Sequence, residues 1–259
     1  MTVQTGLNGN NDYYLFVGWV NAEGADTYGG GRGYARPLGE LHDRYNTKDL
    51  RYIHNITGNL NASSQKETIK GAIFYIPNAV NSSGTTICLA KFRQSSGADR
   101  LALGIPAWAS LLKFPIVRYA DVVLLYAESK FKNGDEDGAR ELISIVRRRA
   151  SGGNTSLMNE LNSYYYKANF MDELLEERSR ELCGENWRRL DLIRMGKIEQ
   201  VMQSIKAPGS DYRNTVGKQY YFNMLGAQTI KENFLPHKIW FPIPKEMDVN
   251  LNLVQNSGY

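Results

Sequence analysis

The run RYADVVLLYAESKFKNGDEDGARELISIVRRRA, from Arg118 to Ala150, carries the clearest helical periodicity in the chain. Ala120, Val123, Leu124, Ala127 and Phe131 recur at i, i+3, i+4, i+7 and i+11, which is the apolar stripe of an amphipathic helix. Asn133-Gly134 ends it, because a helix commonly stops where glycine takes a left-handed conformation. Asp135 then caps a second helix, whose apolar set Ala139, Leu142, Ile143, Val146 and Ala150 repeats the spacing, with Arg147 to Arg149 in its last turn, where the helix dipole favours cations. The two helices form a hairpin. Small Ala127 and Ala139 lie on either side of the turn, an arrangement similar to tetratricopeptide repeats, in which small residues let paired helices approach closely.

A third helical block is predicted from about Phe170 to Met195, with Met171, Leu174, Leu175, Leu182, Trp187, Leu190 and Ile193 on its apolar side. Its other face is dense in charge, and Glu176 with Arg180 and Glu185 with Arg189 have the i, i+4 spacing that stabilises an exposed helix. The tail, Trp240 to Tyr259, is rich in Pro and Asn and reads as an extended segment with one short turn at 245–248. Upstream, residues 10–119 are loop-rich, punctuated by Gly29, Gly30, Gly31 and Gly33. A turn or two of helix is predicted around Pro37 to Tyr45. The expectation is one continuous domain, with a loop-rich region over 1–115 and a helical, repeat-like region over 116–259. A solenoid needs about three stacked repeats to cover its apolar faces, so either further helices precede this sequence or the loop-rich half folds over the exposed helix face.

Composition narrows the function. The chain has 259 residues, 42% of them hydrophobic, enough to bury roughly three-quarters of the unfolded surface. The formal charge of +4, from 31 basic and 27 acidic residues, lacks the concentrated basic footprint of nucleic-acid binding. The longest purely apolar run, Val122 to Ala127, is too short to span a bilayer, and no charged-then-apolar signal segment follows Met1. Cys88 and Cys183 are read equally well as buried thiols or as a disulfide.

Three separated stretches carry a resemblance. FPIVRYADVVLLYA at Phe114 to Ala127, EERSRELCGENWRRLDLIRMGK at Glu176 to Lys197 and WFPIPKEMDVNLNLVQNSGY at Trp240 to Tyr259 resemble the SusD/RagB family, in the family's order. Lys91-Phe92 and the set Pro37, Glu40, Leu41, Tyr45, Asp49 and Arg51 extend the match upstream. The resemblance implies a mainly α fold, with tetratricopeptide-like helical hairpins packed against a loop-rich region and incomplete at the N-terminus. It implies a surface lipoprotein on the extracellular face of the outer membrane in the Bacteroidetes, held by a lipidated cysteine that this chain lacks. It also implies a function without catalysis, the delivery of glycan to a SusC-like TonB-dependent transporter. Within that resemblance Arg118, Tyr119, Asp121, Glu128, Arg180, Glu181, Trp187, Arg188, Asp191, Pro242 and Pro244 belong to structural motifs.

A glycoside hydrolase would need two carboxylates facing one cleft, roughly 5 to 9.5 Å apart, one of them kept protonated by an apolar setting. Glu173, Glu177, Glu181 and Glu185 form an i, i+4 stripe, but each has Arg or Lys neighbours within a turn that hold it ionised. Gly31 and Gly33 lack the third glycine and the strand-turn-helix context of a phosphate cradle. His42, His54 and His237 are scattered, so no metal site and no cofactor are expected; oxygen ligands for calcium are abundant, but nothing indicates one. Glycan binding asks for flat aromatic faces and planar polar side chains on loops. Trp19, Tyr28, Arg32, Tyr34, Arg36 and Trp108 are the candidate ligand contacts, against the alternative that Trp19 is core. Trp187 and Trp240 are read as packing residues. The rival reading is a helical scaffold or lid for the transporter that binds a peptide or another nutrient.

Overall fold

The computed structural model describes residues 2–3, 37–57, 66–69, 72–75, 88–89, 91, 114–205, 229–244 and 253–259. Within them the fold is mainly helical. Helices α1 (Gly39–Asp43) and α2 (Leu50–Asn55) lie upstream, followed by α3 (Tyr119–Lys132), α4 (Glu136–Ala150), α5 (Thr155–Tyr165), α6 (Phe170–Glu181), α7 (Trp187–Arg194) and α8 (Ile198–Ser204), and a 3-10 turn covers Pro236–Ile239. Short strands pair in three antiparallel ladders: β1 (Thr2–Val3) with β6 (Phe114–Pro115), β2 (Ile56–Thr57) with β5 (Cys88–Leu89), and β3 (Lys66–Ile69) with β4 (Ala72–Tyr75). The first ladder places Thr2 opposite Pro115, just ahead of α3.

The hairpin predicted between Arg118 and Ala150 forms as α3 and α4. Gly134, at φ +86, turns the chain, and the Asp135 carboxylate accepts from the Gly138 amide at 2.8 Å. That cap satisfies one of the amides a helix start leaves unpaired. Val123, Leu124, Ala127, Ala139, Ile143 and Val146 interlock with Phe170 and Leu174 of α6 in one buried cluster. Ala127 and Ala139 are both fully buried between the helices, where larger side chains would hold them apart. Phe131 stacks on Phe170 with ring centroids 4.7 Å apart. Each fully buried Leu or Ile here contributes about 1.5–3 kcal/mol.

Two features differ from the sequence reading. The third block is not one helix: α6 closes at Leu182, and the chain turns through Gly184 at φ +72 and Asn186 at φ +64 before α7 begins. Both residues take left-handed backbone, which a continuing helix excludes. Leu190, placed on the apolar side, is exposed as a result of the break. The second difference is α5, absent from the sequence reading. Asn154 caps it by accepting from the Leu157 amide at 3.0 Å, and Leu161 and Tyr165 bury its inner face against Ala150 of α4. Cys183 is a buried free thiol, and the turn at 245–248 lies outside the described residues.

Candidate functional site

Helix α6 organises everything the sequence marked as charged. Glu173, Glu177 and Glu181 share one face of it by their i, i+4 spacing, and Glu185 follows just past its end; all four are buried. Burying a carboxylate is costly unless cations and hydrogen bonds surround it, and each one here is so surrounded. Glu177 receives Arg51 Nη1 at 2.6 Å, Arg180 Nη2 at 2.8 Å and Arg147 Nε at 2.9 Å. Glu181 meets Arg118 at 3.1 Å, Arg51 at 3.2 Å and Arg149. Glu173 binds Arg147 at 2.9 Å and Arg140, and Glu185 binds Arg118 Nε at 2.7 Å and Lys91.

Apart from Arg180, the cations come from distant chain. Arg51 belongs to α2, where Asp49 caps the helix and holds the guanidinium through Oδ2 at 2.8 Å. Tyr45 donates its hydroxyl to the Arg180 carbonyl at 2.7 Å, and Asn55 Nδ2 donates to the same carbonyl at 2.9 Å. Tyr165 of α5 donates to Asp49 Oδ2 at 2.9 Å, and the Arg180 guanidinium lies 3.7 Å from its ring centroid. Residues 45–57 are therefore fastened to α5 and α6 by polar contacts. A second buried cluster ties α3 to α6 and α7: Arg178 meets Asp121 and Asp191, each at 2.7 Å, and Arg194 joins Asp191 at 2.9 Å to Glu128 at 2.5 Å.

The pairs Glu176–Arg180 and Glu185–Arg189 predicted for an exposed helix do not form. Arg180 turns inward to Glu177, Glu185 to Lys91 and Arg118, and Arg189 donates to the Lys238 carbonyl. Burial pushes the carboxyls of Glu177 and Glu181 up, but the guanidiniums around them win, holding Glu181 below and Glu177 well below the ordinary range. Both are locked as carboxylates, the reverse of what a glycosidase acid requires. Among the described residues, no three His, Cys, Asp or Glu side chains gather as a metal site would need.

Beside this network lies a cavity of about 320 Å3 between α1, the α6–α7 break and α8. Leu38, Leu41, Leu89, Leu192, Met202 and Ile205 give it apolar walls, and Arg44, Arg188 and Glu40 reach it with charge. Arg44 binds Glu176 through Nε at 3.0 Å, while Arg188 Nη1 donates to the Leu175 carbonyl at 2.9 Å. The sequence reading missed this cavity. Its α1 wall was legible in the Leu38 and Leu41 spacing, but the α7–α8 wall depends on the unforeseen break after α6.

The candidate ligand contacts Trp19, Tyr28, Arg32, Tyr34, Arg36 and Trp108 lie outside the described residues. Of the motif residues, Arg118, Asp121, Glu128, Arg180, Glu181 and Asp191 sit in the two ion-pair clusters. Trp187 and Arg188 are half-buried, whereas Tyr119 projects from α3 at 77% exposure. Trp240 does not pack as read from the sequence: it is 60% exposed beside Phe241 and the exposed Pro242 and Pro244. The tail folds back on this segment. Gln255 accepts from the Ile243 amide and donates to its carbonyl, and Tyr259 donates to the Trp240 carbonyl at 2.7 Å.

The model of the SusD family matches residues 2–259. The chain is 32% identical over 149 residues to SusD-like protein P25 of Formosa agariphila, an alignment covering 56% of this chain and 24% of that protein. Among solved structures it is similar to surface glycan-binding protein A from Bacteroides thetaiotaomicron, with a TM-score of 0.57 at 19% identity over 96% of this chain and 47% of that one. A structure of the Bacteroides thetaiotaomicron protein in complex with laminarihexaose aligns with a TM-score of 0.53 at 19% identity, over 93% and 45% of the two chains. The chain thus spans about half the length of these solved structures and a quarter of the curated relative.

Proposed function

The chain belongs to the SusD family, and from that premise we propose that it captures an extracellular glycan at the bacterial outer-membrane surface, without cleaving it, for a TonB-dependent transporter. The family match across residues 2–259 carries this reading. A structural relative solved with laminarihexaose supports the ligand class. The buried network supports it from the other side, since its locked carboxylates suit bracing and not proton transfer. In this reading α3–α8 form the scaffold, and Tyr45, Asp49, Arg51 and Asn55 anchor the loop-rich part that presents the ligand face. Among the described residues no helix is long and apolar enough to cross a membrane.

The proposed contacts are Trp19, Tyr28, Arg32, Tyr34, Arg36 and Trp108, aromatic faces for the C–H surfaces of pyranose rings and guanidiniums for the hydroxyls. Each exposed ring adds about 0.5–1.5 kcal/mol beyond its area burial, so a two-ring site binds near the millimolar range. Weak single contacts suit capture and release, and avidity along a polymer strengthens them without new contacts. Affinity electrophoresis through gels holding starch, levan, xylan, pectin, laminarin or mucin glycans tests the reading. Retardation by one polymer, lost in Trp19→Ala or Tyr34→Ala, is the expected result. A folded chain retarded by none of them would favour a scaffold that binds a peptide or another nutrient.

A further inference from the structure

Residues 236–244 and 253–259 close on each other with side chains in place of a backbone ladder. Gln255 Oε1 accepts from the Ile243 amide at 2.8 Å, and its Nε2 donates to the Ile243 carbonyl at 3.0 Å, the two bonds a neighbouring strand would supply. Asn256 Nδ2 donates to the Phe241 carbonyl and the Tyr259 hydroxyl to the Trp240 carbonyl, each at 2.7 Å. The Tyr259 ring meets His237 edge-on, with centroids 4.9 Å apart. Gly258, at φ +98, lies so near the His237 ring that a Cβ would run into it.

The tie from this unit to the helices is thinner. Among the described residues, the only hydrogen bonds between them come from Arg189 of α7, whose Nη2 donates to the Lys238 carbonyl at 3.0 Å and more weakly to that of Ile239. No residue of 236–244 or 253–259 joins a buried apolar cluster among the described residues, and Trp240, Phe241 and Val254 are exposed. A segment held by exposed hydrogen bonds, with little apolar area buried, opens far more readily than a packed core. Pro242 and Pro244 have no amide to offer a ladder, which leaves the Ile243 amide, and so Gln255, as the closing point.

We propose that residues 236–244 and 253–259 form a clasp that opens and closes as one unit while the helices stay folded, with Gln255 as its lock and Arg189 as its mooring. Closed, the clasp fixes the outward display of Trp240 and Phe241 by holding their carbonyls. Open, it releases both. Its contacts are separate from those proposed for glycan, so the clasp and the capture reading can fail independently.

Hydrogen exchange at the Ile243 amide and trypsin cleavage after Lys238 test the proposal, on the full chain and on Gln255→Ala, Tyr259→Phe and Arg189→Gln, with exchange of the α6 amides reporting the helices. Gln255→Ala should speed both exchange at Ile243 and cleavage after Lys238 about tenfold, because both follow the open population, and should leave α6 unchanged. Tyr259→Phe should speed both several-fold. Arg189→Gln should raise cleavage after Lys238 without altering Ile243, since the lock lies within the clasp. Unchanged exchange at Ile243 in Gln255→Ala, faster exchange there with unchanged cleavage after Lys238, α6 amides exchanging together with Ile243, or loss of Ile243 protection in Arg189→Gln would each overturn the proposal.

Discussion

The α3–α4 hairpin and the junction between residues 45–57 and α6 are equally buried, yet one is closed by methyl groups and the other by charges. The hairpin relies on interlocking shapes, as where Ala127 and Ala139 let the helices meet and Leu124 and Ile143 fill the space. The junction relies on direction: Arg51 must reach Asp49, Glu177 and Glu181 at once. Apolar packing tolerates volume-conserving exchange. A buried ion pair does not tolerate loss of one member, because the other is left charged and unpaired. The contrast assigns the hairpin to general stability and the junction to one fixed placement of the upstream segment against the helices.

The junction should give the largest loss. In Glu177→Gln, three guanidiniums from α2, α4 and α6 converge on a neutral amide, and about 3–5 kcal/mol of stability should disappear, read as a lower urea midpoint. A loss under about 1 kcal/mol, the worth of an exposed pair, would show that the network behaves as a surface feature and not as a buried one. Its pH dependence sharpens the same point. The folded pKa of Glu177 lies well below the unfolded value, so its contribution is complete above about pH 4.3, the ordinary Glu value, and drains away as pH falls through the folded pKa. The parent chain should therefore lose stability in acid more steeply than Glu177→Gln does; parallel curves would contradict the assignment.

Next comes the apolar interlock. Leu124→Ala leaves a cavity at the centre of the hairpin and should cost about 2–5 kcal/mol, with no change in pH dependence, since no charge is disturbed. A pH-dependent effect there would mean that the two regions are energetically one. The smallest expected effect is at the hairpin's turn, where Asp135→Ala removes the cap on Gly138 and should cost about 1 kcal/mol, measurable as a shift of a few degrees in thermal midpoint. Substituting Asn at the same position should restore most of it.

The two regions were unequally legible for a physical reason. Helical periodicity is local, so Ala120 to Ala150 announced two helices and their turn without reference to the rest of the chain. The charges of α6 were visible too, but their partners lie as far off as Arg51, 126 residues upstream of Glu177, and nothing local distinguishes a glutamate paired across the core from one in solvent. The rule of i, i+4 pairing therefore chose Arg180 for Glu176 and Arg189 for Glu185, where burial favoured other partners. The break at Gly184 was hidden because ELCGENWRR keeps the charge and apolar pattern of a helix through a lone glycine. Helix α5 had a usable signal in Asn154 followed by Leu157, Leu161 and Tyr165, but a sequence rich in Ser, Asn and Tyr masks so short a stripe. Of the site, α1 and the Asp49–Arg51 pair were readable as motif residues, while the cavity beside them required the tertiary placement of α7 and α8.

Capture without cleavage is tested most directly by titrating the polymer that most retards the chain and following the same mixture for reducing ends. Saturable binding heat with no reducing ends after prolonged incubation is the outcome that glycan capture by this SusD-family chain predicts. Absence of binding heat, or the steady appearance of reducing ends, would contradict it.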